Sequence, residues 1–224
     1  MEHSFWHDKW ERMEIGFHLD EVNKMLLKYW PAAEIAKGQL VLVPLCGKSL
    51  DIIWLMNQGY YVVGIELSEV ALDQLSEDIR EQTGTELTKT RDGDRILYQG
   101  DGVLLIAGDF FAVSAADLQA LTGHSVAAVY DRAAIVALPA EMRQQYTRHL
   151  RQLSGDCVQL LITLDYDQQK RSGPPFAVTD QEVMDHYAAH CPVTVLESRE
   201  LIDQEPRFRE QGLDSFIQRV YRIG

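Results

Sequence analysis

The chain has 224 residues, of which 46% are hydrophobic, and this suffices for one α/β domain with a sizeable core. Its formal net charge of −13 argues against a nucleic acid or an anionic membrane as partner, because both attract basic surfaces. The three cysteines form no C-x-x-C pair, which argues against a disulfide framework and a structural zinc site. Without a signal peptide or an apolar run of ~20 residues, we expect a cytoplasmic protein, with a monomer as the default.

The amino-terminal segment, residues 1–31, is predicted to form a helical cover over the sheet that follows it. Trp6 and Trp10 are spaced i, i+4 and therefore share one face of a helix. Pro31 ends a second helical pattern. An aromatic stripe of this kind is usually core, although tryptophan faces also attract cationic ligands. The histidines of this segment lack a third ligand at metal spacing, so we predict no metal site.

From residue 40 onward, short apolar runs alternate with helical patterns. This alternation predicts a single α/β domain over residues 1–224, with a doubly wound, mostly parallel sheet of seven strands. The last strand is expected to be antiparallel, because no convincing helix precedes it. Residues 85–102 interrupt the pattern, and their Asp92-Gly93 step predicts a hairpin-like insertion. The seven predicted strands are residues 40–44, 61–66, 104–107, 126–130, 158–164, 193–197 and 215–221.

The first two predicted strands enclose the most informative motif. The run Val41-Leu-Val-Pro-Leu-Cys-Gly-Lys-Ser-Leu-Asp51 leads from a strand through a turn into a helix, and the second strand ends in Glu66. Gly47 and Glu66 lie nineteen positions apart, close to the ~20 residues that separate turn and ribose-binding acid in a nucleotide-binding βαβ unit. The spacing predicts an adenosine-containing ligand with Glu66 on its ribose. The alternative is that Glu66 is a solvated loop acid.

The same turn also invites comparison with phosphate-binding loops. Cys46-Gly47-Lys48-Ser49 resembles the end of such a loop, but that motif needs glycine at the position of Leu42. Pro44 also removes a backbone amide that would donate to phosphate. The turn is not G-x-G-x-x-G either, so nucleotide hydrolysis and dinucleotide chemistry are both disfavoured.

Two further strand ends carry polar residues. Asp109 and Phe110 follow the third strand and would suit an adenine ring and its amino group, although Asp109 is also a good helix cap. Arg132 follows the fourth strand, where a partly buried arginine needs either an anionic ligand or an internal acid such as Asp131. Because ligands bind at the carboxyl ends of the strands in open α/β sheets, we expect these residues to line a site.

The motifs together resemble the thiopurine S-methyltransferases, most closely the bacterial members, over nearly the whole chain. The resemblance implies a class I methyltransferase (Rossmann-like) fold with seven strands and an antiparallel last strand. It also implies S-adenosyl-L-methionine as cofactor and S-adenosyl-L-homocysteine as product. The motifs that carry it are Phe5-Trp-His-Asp-Lys-Trp10, Ile15-Gly-Phe-His18, Leu42-Val-Pro-Leu-Cys-Gly-Lys-Ser-Leu-Asp51, Gly64-Ile-Glu-Leu-Ser68, Gly108-Asp-Phe-Phe111 and Tyr130-Asp-Arg-Ala133.

The resemblance also assigns roles to individual residues. The residues that it implies for cofactor binding are Trp10, Leu45, Glu66, Asp109, Phe110 and Arg132. On the substrate side it implies Phe17, Arg132 and Arg207, with Arg132 as the one catalytic residue. The expected reaction is methyl transfer to the sulfur of an aromatic or heterocyclic thiol by in-line displacement. Methylation of selenium or tellurium compounds, or binding of the cofactor without catalysis, are the alternatives.

Overall fold

The computed structural model describes residues 3–12, 16 and 18–224, and a single sheet forms its centre. The strands are β1 (Leu40–Pro44), β2 (Tyr61–Glu66), β3 (Thr88–Asp92), β4 (Arg95–Gly100), β5 (Val103–Ala107), β6 (Val126–Arg132), β7 (Val158–Asp165), β8 (Val193–Glu200) and β9 (Ile217–Ile223). Their order across the sheet is β3-β4-β5-β2-β1-β6-β7-β9-β8. β5, β2, β1, β6 and β7 are parallel, and β9 lies antiparallel between β7 and β8.

The predicted doubly wound α/β fold with an antiparallel last strand is confirmed, but the sheet has nine strands instead of seven. All seven predicted strands are present. The two additional strands, β3 and β4, come from residues 85–102, where Asp92 pairs with Arg95 across the turn. β4 then pairs antiparallel with β5, which would otherwise be an open edge of the sheet. The division of residues 1–224 as one domain stays a prediction.

Helices cover both faces of the sheet. Alternate strand residues point to opposite sides, so both faces carry apolar side chains that pack against helices. On β1, Leu40 and Leu42 join one apolar core, whereas Val41 and Val43 join the other. The first core includes side chains of α5, α6 and α7, and the second includes side chains of α2, α3 and α4. No helix among the described residues is long and apolar enough to cross a membrane. The helices are α1 (His3–Glu11), α2 (Lys24–Tyr29), α3 (Leu50–Asn57), α4 (Glu69–Thr83), α5 (Ala115–Thr122), α6 (Ala140–Ser154), α7 (Asp180–Tyr187) and α8 (Pro206–Glu210).

Gly64 of β2 allows the turn after β1 to pack directly against the neighbouring strand. A Cβ atom at this position would lie 2.8 Å from Cys46 Sγ and 3.0 Å from both Ile52 Cδ1 and Leu105 Cδ2. We expect Gly64→Ala to lower the free energy of unfolding by about 2 kcal/mol, the usual cost of overpacking a core. Urea denaturation of Gly64→Ala, Cys46→Ala and the double variant measures this effect.

The double variant tests the cause of that loss. Because Cys46→Ala removes the closest of the three contacts, the two substitutions together should cost clearly less than the sum of the single effects. Strictly additive costs would show that the Cys46 side chain is not what makes glycine necessary at position 64.

Candidate active site

A cavity of about 700 Å³ lies at the carboxyl ends of the parallel strands. The turns that follow β1, β2, β5, β6 and β7 all contribute to its wall, and α1 and α8 contribute from outside the sheet. The chain leaves β1 toward β2 on one side, and β6 lies on the other side. Open α/β sheets bind their ligands at this kind of switch point. The volume of this cavity falls within the range of about 300–1,000 Å³ that is usual for ligand pockets.

The turn after β1 is folded back over the end of β2 by two residues with left-handed backbones. Leu45 has φ 45° and Gly47 has φ 54°. The backbone N–H of Cys46 donates to the carbonyl of Ile65 at 3.0 Å, and that of Gly47 donates to Glu66 Oε2 at 2.9 Å. The predicted glycine–acid pair is therefore in direct contact, nineteen positions apart in sequence.

Glu66 is nearly buried, with 7% of its surface exposed, and it lines the cavity. Its Oε1 accepts a hydrogen bond from the backbone N–H of Ser68 at 2.9 Å. Burial raises the pKa of the Glu66 carboxyl, and the backbone N–H groups of Ser68 and Gly47 oppose that rise. A carboxylate offers about four acceptor sites, so one held by two backbone donors can still accept from both hydroxyls of a ribose. The donor set thus fits the predicted ligand.

Cys46 packs in the core beneath this turn. Burial raises the pKa of its thiol well above the ordinary value, and the charge of Glu66 adds to this. The thiol therefore stays protonated and is a poor nucleophile. This environment suits a packing residue.

Asp109 and Phe110 line the cavity at the end of β5. The Asp109 side chain caps the short turn that follows, with Oδ1 accepting from the backbone N–H of Phe111 at 3.0 Å. The ring of Phe110 is 3% exposed and packs against Tyr146 and His149, with ring centroids 5.3 and 5.1 Å away. The two readings of Asp109 are therefore compatible, because the capping carboxylate also faces the cavity beside an aromatic wall.

A buried polar contact joins the amino-terminal region to the floor of the cavity. Tyr130 of β6 donates its hydroxyl proton to Asp51 Oδ2 at 2.9 Å. The other oxygen of Asp51 accepts from the backbone N–H of Asn23 at 2.8 Å, and Asn23 in turn caps α2. Asp51 is 2% exposed, and both Tyr130 and Asn23 line the cavity. The position of α2 is thus tied to the strand that carries Arg132.

Asp131 and Arg132 are neighbours in β6, so their side chains point to opposite faces of the sheet. Asp131 is fully buried, and its Oδ2 accepts from the Tyr146 hydroxyl at 2.7 Å while its Oδ1 accepts from the Ile135 N–H at 3.3 Å. Arg132 instead lines the cavity. No carboxylate of the described residues forms an ion pair with Arg132, so the alternative pairing with Asp131 is not what accommodates this arginine.

Asp131 gives the fold a specific dependence on pH, because burial raises the pKa of its carboxyl from 3.8 to about 6. Between these values the folded state binds more protons than the unfolded chain. The contribution of this group to the free energy of unfolding is therefore greatest below pH 4 and is lost as the pH rises through 6. Relative to Asp131→Asn, the wild type should lose about 2–3 kcal/mol of stability between pH 4 and 7.

Urea denaturation at several pH values measures that difference. The exposed change Asp94→Asn, in the turn of the hairpin, should show no comparable slope. A pH-independent difference between the wild type and Asp131→Asn would mean that Asp131 is already ionised throughout this range.

Two further basic residues, Lys48 and His18, line the cavity with Arg132. Burial lowers the pKa of the His18 ring, and the charges of Lys48 and Arg132 lower it further. His18 is therefore neutral near pH 7, and Lys48 and Arg132 provide the positive charge in this part of the wall.

Most of the remaining predicted site residues reach the same cavity. Trp10, 2% exposed, lines it from α1, and Leu45 lines it from the turn after β1. Arg207 lines it from α8, where its side chain is 59% exposed and pairs with Glu205 at 3.2 Å. Phe17 lies outside the described residues. The structure thus brings together every other predicted site residue, while their individual roles stay predictions.

Two features of the site were not predicted from the sequence. Tyr130, which lines the cavity, and the buried Asp51 stand inside the quoted motifs, but no local pattern predicts that they bond to each other. Arg171 lies in the loop after β7 and lines the cavity. Only the general rule that loops at the carboxyl ends of the strands surround the ligand could have predicted this position.

Comparison with known proteins agrees with this arrangement. The family described as thiopurine S-methyltransferase (TPMT) matches residues 1–224. A thiopurine S-methyltransferase of Pseudomonas fluorescens (strain SBW25) is 46% identical over 224 residues, which cover 100% of this chain and 99% of that protein. A probable thiopurine S-methyltransferase of Yarrowia lipolytica is 40% identical over 223 residues, covering 100% of both chains.

Solved structures of lower identity share the fold. The magnesium protoporphyrin IX methyltransferase of Synechocystis PCC 6803, with bound S-adenosylhomocysteine, has a TM-score of 0.64 at 12% identity and covers 99% of this chain and 98% of its own. A 1,6-didemethyltoxoflavin-N1-methyltransferase of Burkholderia thailandensis has a TM-score of 0.61 at 16% identity, with 99% and 86% covered. On the strength of the full-length sequence matches, the chain belongs to the thiopurine S-methyltransferase family and is an S-adenosylmethionine-dependent methyltransferase.

Proposed function

We propose that this enzyme transfers the methyl group of S-adenosyl-L-methionine to the sulfur of aromatic or heterocyclic thiols such as thiopurines, and releases S-adenosyl-L-homocysteine. When bound, the cofactor supplies a methyl group on a positively charged sulfur, open to direct in-line displacement. The observation that carries the proposal is the position of Arg132, a cation without an acidic partner among the described residues, in the wall of the cavity that Glu66 also lines.

Each of the proposed cofactor residues would contact a different part of S-adenosyl-L-methionine. Glu66 would accept both hydroxyls of the ribose, since two backbone donors already fix its carboxylate in place. Asp109 would accept from the adenine amino group, and Phe110 would form a wall for the ring. Trp10 and Leu45 would close the site from α1 and from the turn, and an indole face favours a cationic ligand.

Arg132 would act on the acceptor. An aromatic thiol is already partly ionised near neutral pH, so a strong general base is unnecessary. A guanidinium group beside the sulfur would favour the thiolate and hold it in position, with Phe17 and Arg207 as further substrate contacts. The chain would then contribute mainly orientation and exclusion of water, which together can supply several kcal/mol.

The test is incubation of the purified protein with methyl-labelled S-adenosyl-L-methionine and 6-mercaptopurine, followed by counting of label in the extracted product. Label in the thioether supports the proposal. No label on any aromatic thiol, with cofactor binding shown by calorimetry, would contradict it. Label on selenite or tellurite products instead would favour the chalcogen alternative, and no transfer to any acceptor would favour binding without catalysis. The monomeric state and the cytoplasmic location stay predictions.

A further inference from the structure

Two arginines and a buried phenylalanine form a patch on the cavity wall, on elements other than those that carry the residues assigned to the cofactor. Arg207 and Phe208 lie in α8, and Arg171 lies in the loop after β7. The guanidinium carbons of Arg171 and Arg207 lie 4.8 and 4.7 Å from the ring centroid of Phe208. Both contacts are favourable, because a ring face carries partial negative charge. We call Arg171, Arg207 and Phe208 the arginine patch.

Arg171 is held in the patch by neutral groups. Its Nη1 donates to the carbonyl of Pro175 at 3.0 Å, its Nη2 to the carbonyl of Pro174 at 3.1 Å, and its Nε to Gln211 Oε1 at 3.2 Å. Within the described part of the chain, no carboxylate forms an ion pair with Arg171. A guanidinium group has five N–H donors, so this one keeps both its charge and spare donors for a ligand.

The surrounding charge favours an anion at this place. The protein as a whole carries a net charge of −13, yet cations outnumber acids among the described residues that line the cavity. Of these acids, Glu66 and Asp109 are assigned to the cofactor, and Glu205 forms an ion pair with Arg207 that offsets both of those charges. A concave wall with an excess of one sign of charge concentrates ligands of the opposite sign. The cations are Lys9, Lys48, Arg132, Arg171 and Arg207, and the acids are Glu66, Asp109 and Glu205.

We propose that the arginine patch binds an anionic substituent of the acceptor, such as a carboxylate, and that Arg171 is a specificity-determining residue. The proposal rests on the S-methyltransferase function proposed above. It adds that this enzyme prefers negatively charged thiols to neutral thiols of similar shape. Arg132 meets the reacting sulfur, while Arg171 and Arg207 hold the charged group at the other end of the acceptor.

The experiment compares 3-mercaptobenzoate with its neutral methyl ester, using labelled S-adenosyl-L-methionine and the full chain. The quantity of interest is the ratio of the two kcat/KM values. We expect the wild-type ratio to favour the acid by about tenfold, the effect of one partly screened charge contact.

Two substitutions at one position separate charge from structure. Arg171→Met and Arg171→Lys both disrupt the bonds to the carbonyls of Pro174 and Pro175, but lysine keeps the charge. The ratio should fall about tenfold in Arg171→Met and stay within about threefold of wild type in Arg171→Lys. Arg209→Met is the matched control, since Arg209 lies in α8 but pairs with Asp203 and is absent from the described lining of the cavity.

Two results would overturn the proposal. One is a wild-type ratio near one, and the other is an equal ratio in the methionine and lysine variants. If neither thiol is methylated, the S-methyltransferase function itself fails. Calorimetric binding of the two thiols to the cofactor-loaded protein then still tests the arginine patch, and equal affinities would refute it.

Discussion

Arg132→Ala should lower kcat/KM for an aromatic thiol by ~10- to 100-fold at saturating cofactor, as expected for loss of a charge-assisted contact to the reacting sulfur. Arg132 lines the cavity at the end of β6, and nothing acidic among the described residues neutralises it. The effect should be larger at lower pH, where less of the thiol is ionised without the help of the guanidinium group. Steady-state kinetics between pH 6 and 9 measures both effects.

Two further variants make that result interpretable. Arg132→Lys should recover only part of the activity, because an ammonium group keeps the charge but not the planar donor fork. Arg91→Ala removes the same type of side chain from the exposed strand β3 and should stay within about twofold of wild type, as surface changes usually do. Wild-type kinetics in Arg132→Ala would remove Arg132 from the mechanism.

Glu66→Gln should weaken cofactor binding by ~10- to 100-fold, because a neutral amide cannot accept two strong hydrogen bonds from a ribose while its oxygen also serves the backbone. The same change should lower the free energy of unfolding by about 1–3 kcal/mol, because the amide nitrogen then faces a backbone N–H of Gly47 or Ser68. Calorimetric titration with S-adenosyl-L-homocysteine and urea denaturation measure the two effects separately.

The control for this prediction is Glu69→Gln, three residues further along. Glu69 begins α4 and is exposed, and it pairs with Lys89 on the surface of the hairpin. Its loss should change stability by less than about 0.5 kcal/mol and leave cofactor affinity unchanged. An unaltered affinity in Glu66→Gln would show that the acid holds the turn but not the ligand.

The pair of Gly47 and Glu66 shows what a local sequence pattern can and cannot predict about the site. Their spacing predicted a ribose-binding acid at the end of the second strand, and the structure places that acid on the cavity wall. The spacing did not predict that Glu66 also accepts the N–H of Gly47 and so fixes the turn itself. This bond depends on how β1 and β2 lie side by side, which is a property of the sheet.

Asp131 and Arg132 show the opposite case, in which neighbours in sequence are separated in space. Because the two residues are adjacent in sequence, an ion pair between their side chains was an open alternative. In a strand, successive side chains point to opposite faces, so Asp131 meets Tyr146 of α6 while Arg132 meets the cavity. The partner of Asp131 comes from a helix fifteen residues away and could not be read from the strand itself.

Local chemistry in the sequence determined the elements of this protein: apolar runs placed the seven main strands, and the Asp92-Gly93 step predicted the hairpin. These signals act over a few residues and therefore need no knowledge of the fold. The tertiary structure alone decided that the hairpin extends the sheet beside β5 and that Arg171 joins Arg207 at Phe208. Both outcomes arise where distant segments meet, because strand pairing and the packing of loops over the sheet bring together residues that share no local pattern.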